Sequence, residues 1–216
     1  MRALHVLLDL LYPPKCPFCG RVLERGEEDW CASCQDELPW TEPGGGKEVE
    51  NCDACLSSLW YRDGVREGVH RYKFKGGRGH AKLFGQLMAQ CLRDRWAGPA
   101  DLITWAPLHP KRRRRRGYDQ AELLARRVGE LLELPVEGTL EKIRSTAVQS
   151  QAGEDADRRA NVRGAYRALP GLDLAGKRVV LIDDVATSGA TLAECAAVLR
   201  GAGAESVVGL TFARAR

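Results

Sequence analysis

The sequence predicts an α/β protein in which a twisted, mostly parallel sheet is flanked by helices and preceded by a small cysteine-rich module. Two observations carry this prediction. Three Cys-x-x-Cys pairs fall within the first 55 residues, and short β-branched runs then alternate with helical patterns. A length of 216 residues suits one domain with a small appendage. We therefore predict the module in residues 1–58 and the main domain in residues 59–216.

The composition is that of a globular protein with one local concentration of positive charge. Hydrophobic residues make up 44% and charged residues 29% of the chain, which excludes a disordered or fibrous protein. The formal net charge is +4, and residues 111–116 are all basic, so the rest of the chain is slightly acidic. Because the positive charge is local, it indicates a local role, such as contact with a polyanion.

The first twelve residues predict a short amphipathic helix. Leu4, Leu7, Leu8 and Leu11 repeat at helical spacing, and we expect this helix to pack on the body of the protein. Asp9 interrupts the apolar run and no signal-peptide cleavage site follows, so the segment is interpreted as part of the mature chain. No apolar run approaches the ~20 residues needed to span a bilayer. We expect a soluble, cytoplasmic protein without membrane insertion.

The first two cysteine pairs predict a structural zinc site. They are Cys16 with Cys19 and Cys31 with Cys34. Two intervening residues let paired thiolates lie on one side of a tight turn, and two such pairs complete the tetrahedral sulfur shell that Zn²⁺ prefers. A disulfide framework and a redox Cys-x-x-Cys are the alternatives, but the sequence shows neither a secretion signal nor the βαβ context that a redox pair would need.

The remaining cysteines are interpreted differently. Cys52 and Cys55 have no fourth pair to complete a tetrahedral site. Either they belong to a second metal site with unidentified ligands, or one of them exchanges into the first site. Cys91 and Cys195 fall in helical stretches and predict buried core thiols. The glycine-rich residues 41–47 predict a flexible joint between module and domain.

Helices and strands alternate after residue 60. Ligands of such parallel sheets bind beyond the carboxyl ends of the strands. The predicted elements are a helix around Leu83, Leu87, Met88 and Cys91, a strand at 102–105, a helix at 121–134, a strand at 178–182, a helix at 190–201 and a strand at 206–212.

The segment from residue 178 to residue 192 predicts a phosphate-binding turn. A buried strand is followed by two carboxylates, a turn of small hydroxylated residues and an amphipathic helix. The free N–H groups at the helix start, Gly189 and the hydroxyls of Thr187, Ser188 and Thr191 form an anion cradle. The chain contains neither a Walker A motif nor a dinucleotide-binding glycine motif.

Asp183 and Asp184 precede this cradle. Adjacent residues of a strand point in opposite directions, so the two carboxylates are not expected to be simple ligands of one ion. They could instead accept hydrogen bonds from a vicinal diol beside the phosphate. A phosphate cradle next to diol acceptors suits a ribose 5-phosphate.

Residues 179–192 resemble the motif of the type I phosphoribosyltransferases that binds 5-phosphoribosyl 1-pyrophosphate (PRPP). Together with the cysteine pairs and further segments, nearly the whole chain resembles the ComF family, which comprises competence-associated, phosphoribosyltransferase-like proteins with an N-terminal zinc finger. These further segments are YKFKG at 72–76, APLHP at 106–110, RGYDQ at 116–120 and residues 158–166.

The resemblance implies a role for each matching residue. Asp183 and Asp184 would contact the ribose hydroxyls, while Mg²⁺ would bridge the pyrophosphate and the sugar. Residues 149–161 would form the mobile loop that closes over PRPP. The catalytic candidates are Asp183, Asp184 and Arg116. The other PRPP-binding candidates are Ala186, Thr187, Ser188, Gly189, Ala190 and Thr191 for the 5-phosphate, Pro107, Leu108 and His109 for the pyrophosphate, and Lys75 as a further positive charge.

The resemblance also implies a function in natural competence and DNA uptake. Arg112, Arg113, Arg114 and Arg115 could attract PRPP or hold a nucleic-acid backbone, and single-stranded DNA is the favoured partner beside other competence proteins. An active phosphoribosyltransferase of nucleotide metabolism and a DNA-binding adaptor with a vestigial PRPP site are the alternatives. In an enzyme, Arg116 would stabilise the leaving pyrophosphate electrostatically.

Overall fold

The computed structural model describes residues 13–42, 46–74, 77–146 and 161–216. Three predictions therefore lie outside the described residues: the N-terminal helix, the PRPP-binding role of Lys75, and almost all of the mobile loop at 149–161. Within the described ranges, no helix combines the length and the apolar character needed to cross a bilayer.

The core of the fold is a parallel four-stranded sheet. The strands of the described residues are β1 (Ala54–Trp60), β2 (Leu102–Trp105), β3 (Leu140–Lys142), β4 (Tyr166–Ala168), β5 (Arg178–Ala186) and β6 (Ser206–Arg214). The four-stranded sheet has the order β1-β6-β5-β2, and every neighbouring pair is parallel. A separate antiparallel pair joins β3 to β4.

Helices cover both faces of the sheet. Phe84 and Leu124 pack into the core on one face, where they meet Val180 and Ile182. On the other face, Leu192 and other apolar side chains of the last helix pack against the strands. The helices are α1 (Ala32–Glu37), α2 (Asp63–Phe74), α3 (Ala81–Arg95), α4 (Pro110–Arg116), α5 (Gln120–Leu132) and α6 (Ala190–Gly201), with a 3₁₀ turn at Arg78–His80.

The predicted elements agree with the structure, apart from their ends. The strand at 102–105 and the helix at 190–201 are found at the predicted bounds, whereas β5 continues to Ala186 and β6 to Arg214. Sequence reasoning missed β1, in which Ser57 and Ser58 interrupt the apolar run. Both serines are buried, and the Ser57 hydroxyl lies 2.7 Å from that of Thr211 on the neighbouring strand.

The basic run forms helix α4, which the sequence reading also missed. Pro110 occupies the first turn, where its missing N–H costs nothing, and the Nδ1 atom of His109 accepts a hydrogen bond from the backbone N–H of Lys111. Gly117 ends the helix at a positive φ of 83°. Helix geometry therefore distributes the arginines over different faces of α4.

The cysteine-rich module is attached firmly to the sheet. The predicted boundary at residue 58 falls inside β1, which pairs with β6 from Ala54 to Trp60. The Arg95 guanidinium donates to the Thr41 carbonyl at 2.6 Å, so one end of the predicted flexible joint is held in place. The Phe18 ring lies 5.9 Å from that of Phe84, which joins the module to the main core.

Candidate functional site

A cavity of about 210 Å³ opens at the turn between β5 and α6. We call it the cup. It is lined by Asp183, by residues 185–192 and, from other elements, by Arg112, Thr146, Asn161 and Val162. The structure thus brings together the predicted Asp183, Ala186, Thr187, Ser188, Gly189, Ala190 and Thr191. The fit is chemical as well as geometric, because the first N–H groups of α6 have no acceptor within the helix.

Gly189 is required by the shape of the cup. It lies at a φ of 80° directly before α6, in the left-handed region that glycine adopts without strain. A Cβ atom at this position would also lie 3.0 Å from Cγ2 of Val49. The turn can therefore bring backbone amides close to an anion only because this residue has no side chain.

Asp183 and Asp184 face opposite sides of the sheet, as predicted. Asp183 follows the alternation of Val179 and Leu181, which pack with α6, and it lines the cup. One Asp183 carboxylate oxygen accepts the backbone N–H of Asp184 at 2.8 Å. Burial and the neighbouring charge of Asp184 raise the pKa of Asp183 to about 7.

Asp184 faces the α2 side and is almost completely buried, with 4% of its surface exposed. The Lys73 ammonium lies 2.8 Å from its Oδ1 atom. Its Oδ2 atom is buried and has no hydrogen-bond partner among the described residues. The Lys73 contact was missed at the sequence level, although Lys73 lies within the YKFKG segment that carries part of the resemblance.

A second lysine, Lys142, is linked to the cup through Tyr166. The Lys142 ammonium donates to the Tyr166 hydroxyl at 2.9 Å, and that hydroxyl also contacts the side chain of Thr191. Burial lowers the pKa of Lys142, while the charge of Asp183 opposes that shift. This chain of contacts connects the β3–β4 pair to a predicted phosphate-binding residue. The sequence offered no signal for it, because the residues are far apart along the chain.

The predicted pyrophosphate loop follows β2 at the same end of the sheet. Pro107, Leu108 and His109 do not line the cup. The Leu108 N–H donates to Oδ2 of Asp119 at 2.7 Å, and Oδ1 of Asp119 accepts the N–H of Ala121 at the start of α5. The buried Asp119 therefore fixes the loop relative to α5, and it occupies one of the loop amides.

The arginines of α4 do not act as one patch. Arg112 lines the cup and donates to the Thr146 carbonyl at 2.6 Å, whereas Arg113 pairs with Glu122 at 3.0 Å. The Arg116 guanidinium lies 5.0 Å from the centre of the Phe74 ring and hydrogen-bonds the side chain of Gln120. Arg116 does not line the cup but a second cavity beside it.

The first two cysteine pairs converge as predicted. The Sγ atoms of Cys16, Cys19, Cys31 and Cys34 all lie within 4.8 Å of one another, and those of Cys19 and Cys31 are 3.6 Å apart. Sulfurs that share a tetrahedral Zn²⁺ at 2.3 Å are about 3.8 Å apart, so the four side chains fit a zinc ion. Burial opposes ionisation of Cys31, but hydrogen bonds from Arg21 and the backbone of Cys34 lower its pKa to about 6.

The third pair lies apart from this cluster. Cys55 is buried in β1, and burial raises the pKa of Cys52 to about 11 and that of Cys55 to about 12. In the part of the chain that the structure describes, no third potential ligand joins them in a metal-sized group. A second metal site therefore stays a prediction. Cys91 and Cys195 are buried core thiols, as predicted.

Comparisons with known proteins agree with this arrangement. The phosphoribosyl transferase domain family matches residues 114–216, and the double zinc ribbon domain family matches residues 7–55. The chain is 28% identical over 224 residues to competence protein F of Haemophilus influenzae, with 93% of this chain and 97% of the relative covered. It is 27% identical over 209 residues to competence protein ComFC of Streptococcus pneumoniae, with 92% and 87% covered.

A further relative decides the family. The DNA utilization protein YhgH of Escherichia coli (strain K12) is 33% identical over 207 residues, which cover 89% of this chain and 86% of the relative. The chain belongs to the ComF family. The family match and the parallel sheet identify the main domain as a phosphoribosyltransferase fold, and the zinc ribbon match agrees with a structural zinc at the four clustered cysteines.

Proposed function

We propose that this ComF protein binds PRPP, with the 5-phosphate in the cup and the ribose beside Asp183. One observation carries the proposal: the turn amides, the hydroxylated residues Thr187, Ser188 and Thr191, and a carboxylate line the same cavity. Arg112 adds a positive charge opposite the turn. A sugar phosphate needs both an anion site and hydrogen-bond acceptors for its diol, and the cup supplies both.

Asp183 is the candidate to hold Mg²⁺ together with the ligand, because Asp184 faces the opposite side of the sheet and does not line the cup. Carboxylate oxygens suit this ion, and the unpartnered Oδ2 atom of Asp184 leaves a buried acceptor for a ligand group. When bound, Mg²⁺ would neutralise charge on the pyrophosphate. The Lys73 ammonium now pairs with Asp184, so any group that approaches this carboxylate competes with Lys73. Lys73 would then be available to the ligand's negative charge.

The pyrophosphate end of PRPP would lie toward residues 107–109 and Arg116. The loop follows β2, which pairs with β5 up to Trp105 and Ile182, immediately before the two aspartates. The Leu108 N–H is already bound to Asp119, so pyrophosphate recognition depends on the remaining loop groups and on nearby cations. In a transfer reaction, Arg116 and Lys73 would favour the departing pyrophosphate electrostatically.

Calorimetric titration of the zinc-loaded full chain with PRPP and Mg²⁺ tests the binding proposal. We expect saturable binding that Ser188→Ala weakens roughly 2- to 10-fold, the cost of one hydrogen bond. Ser206→Ala is the matched control, because it removes a hydroxyl at the opposite end of the sheet, where β6 begins. Absence of binding to the folded protein, or equal losses in both variants, would reject the proposed site.

Whether the bound PRPP reacts is a separate proposal. Pyrophosphate release, measured with a panel of nucleobases and amines, tests the phosphoribosyltransferase activity. Release that depends on one acceptor and is lost in Asp183→Asn supports an enzyme. Tight PRPP binding without release for any acceptor supports a protein that uses PRPP as a signal or regulator.

We further propose a cytoplasmic role in DNA uptake, with single-stranded DNA and other competence proteins as partners. The names of the relatives, which refer to competence and DNA utilization, support this role. The cations of α4 support contact with a polyanion. Transformation frequency in a strain that lacks the protein, complemented with the wild-type chain, tests the role. Unchanged transformation without the protein would contradict it.

A further inference from the structure

A second cavity, of about 280 Å³, lies between the end of α2 and helix α4. We call it the stacking cavity. Its lining residues are Lys73, Phe74, Arg112, Arg115, Arg116 and Tyr118. Four of the six are cations, and no carboxylate of the described residues lines the cavity. Such a lining attracts anions and leaves aromatic surface for an apolar partner.

The positive charge of this cavity is largely uncompensated. Lys73 pairs with Asp184, but Arg116 contacts the neutral Gln120 side chain and Arg112 the Thr146 carbonyl. Arg115 is exposed and takes part in none of the ion pairs between described residues. By contrast, Arg113 on another face of the helix is paired with Glu122. Of the α4 cations outside these ion pairs, Arg112, Arg115 and Arg116 line the cavity, whereas Lys111 and Arg114 do not.

An exposed aromatic ring stands beside these cations. The Phe74 side chain is 58% exposed, so packing in the core does not account for an aromatic residue at this position. The Arg116 guanidinium lies 5.0 Å from the ring centre, and the His70 ring is 5.0 Å away at an angle of 45°. Rings and guanidinium groups placed in this way stack on nucleobases.

The cavity is held in shape by hydrogen bonds between its two walls. The Tyr118 hydroxyl donates to the Tyr72 carbonyl, and the Tyr72 hydroxyl donates to the Gln120 carbonyl at 2.7 Å. Tyr72 is buried and directly precedes Lys73 and Phe74. These bonds fix the end of α2 against the corner between α4 and α5. The ring and the arginines are therefore positioned before any ligand arrives, which lowers the entropic cost of binding.

We propose that the stacking cavity binds one nucleotide unit of a single-stranded nucleic acid, with its phosphate on Arg115 and its base against Phe74. This inference rests on the proposed DNA-handling function and names its contact surface. A single strand fits because its bases expose a face for stacking, whereas the bases of a duplex are stacked on each other. Arg112 lines both this cavity and the cup, so the two sites are neighbours.

Fluorescence anisotropy with labelled oligo(dT) and the zinc-loaded full chain tests the proposal. We expect Phe74→Ala to weaken binding by about 5-fold or more, without changing the salt dependence. Phe74→Tyr, which keeps an aromatic ring, should retain the affinity. We expect Arg115→Ala to weaken binding and to reduce the magnitude of the log–log salt slope by about 0.7, the value for one phosphate of a single strand. Oligo(U) tests whether RNA binds in the same way.

Arg114→Ala is the matched control, because Arg114 is exposed on the same helix and lines neither cavity. It should cost clearly less than Arg115→Ala. Unchanged affinity of Phe74→Ala, equal losses for the two arginine variants, or equally tight binding of duplex DNA would overturn the proposal. PRPP titration of the same variants separates the two sites: Phe74→Ala should keep PRPP binding, whatever the result with DNA.

Discussion

The zinc module and the cup are built in opposite ways. In the module, four sulfur atoms converge on one point, where they fit a single small ion. In the cup, backbone amides, hydroxyls and a carboxylate surround an open cavity of about 210 Å³. The four-sulfur arrangement suits a metal that stabilises the fold, and the open cavity suits a ligand that binds reversibly. Changes to the module should therefore affect folding, and changes to the cup should mainly affect binding.

The largest effect is expected from Cys31→Ser. Cys31 is buried, and loss of its thiolate should release the zinc and unfold the module, because small zinc modules depend on metal for their fold. The damage should spread, since Phe18 packs against Phe84 of the main core. Zinc content and the thermal unfolding temperature, Tm, measure both consequences.

Cys52→Ser provides the control for this experiment. Cys52 lies outside the four-sulfur cluster, so the variant should retain one zinc ion per chain. Two ions in the wild-type protein, with one lost in Cys52→Ser, would instead support the second metal site that the sequence left open.

The same contrast explains what the sequence could and could not predict. The zinc ligands and the turn at 186–191 are local patterns, so their spacing was sufficient to identify them. Lys73 and Lys142 come from α2 and β3, and only the folded chain brings them to the aspartates of β5. The basic run at 111–116 was predictable only in part. Its positive charge is evident from the residues, but its helical conformation is not, and that helix places Arg112, Arg113 and Arg116 in three different environments.

The ion pair between Lys73 and Asp184 should be the next most sensitive point. Lys73→Met leaves a buried carboxylate without its partner, which we expect to cost about 3 kcal/mol of unfolding free energy. The double variant Lys73→Met with Asp184→Asn removes both charges and should recover much of that loss. Denaturant unfolding of the two single variants and the double variant measures the interaction. If Lys73→Met and the double variant are equally stable, the loss of unfolding free energy in Lys73→Met does not come from the unpaired Asp184 carboxylate.

Gly189→Ala tests whether the shape of the cup depends on this glycine. The positive φ and the 3.0 Å approach to Val49 should cost about 1 to 3 kcal/mol of stability and lower the affinity for PRPP. Gly79→Ala is the matched control, because a Cβ atom there meets nothing within 4 Å. Unfolding and calorimetric titration distinguish the two changes. If both variants behave like the wild type, the shape assigned to the turn is incorrect.

The smallest expected effect is a pH dependence of PRPP binding. Burial and the charge of Asp184 raise the pKa of Asp183 to about 7, so a proton occupies this carboxyl at lower pH. If the ligand requires the carboxylate, affinity should rise between pH 6 and pH 8, by roughly tenfold overall for a pKa near 7. Asp183→Asn should bind more weakly and should lose this part of the pH dependence. The variant also corrects for ionisation of the ligand phosphates, and an equal pH profile in both proteins would exclude Asp183 as the titrating group.

A crystal structure of the full chain with PRPP and Mg²⁺ tests the central claim most directly. We predict that the 5-phosphate accepts hydrogen bonds from the backbone amides of residues 187–191 and that the ribose hydroxyls face Asp183. A phosphate bound elsewhere, with the amides of this turn left to water, would contradict the claim.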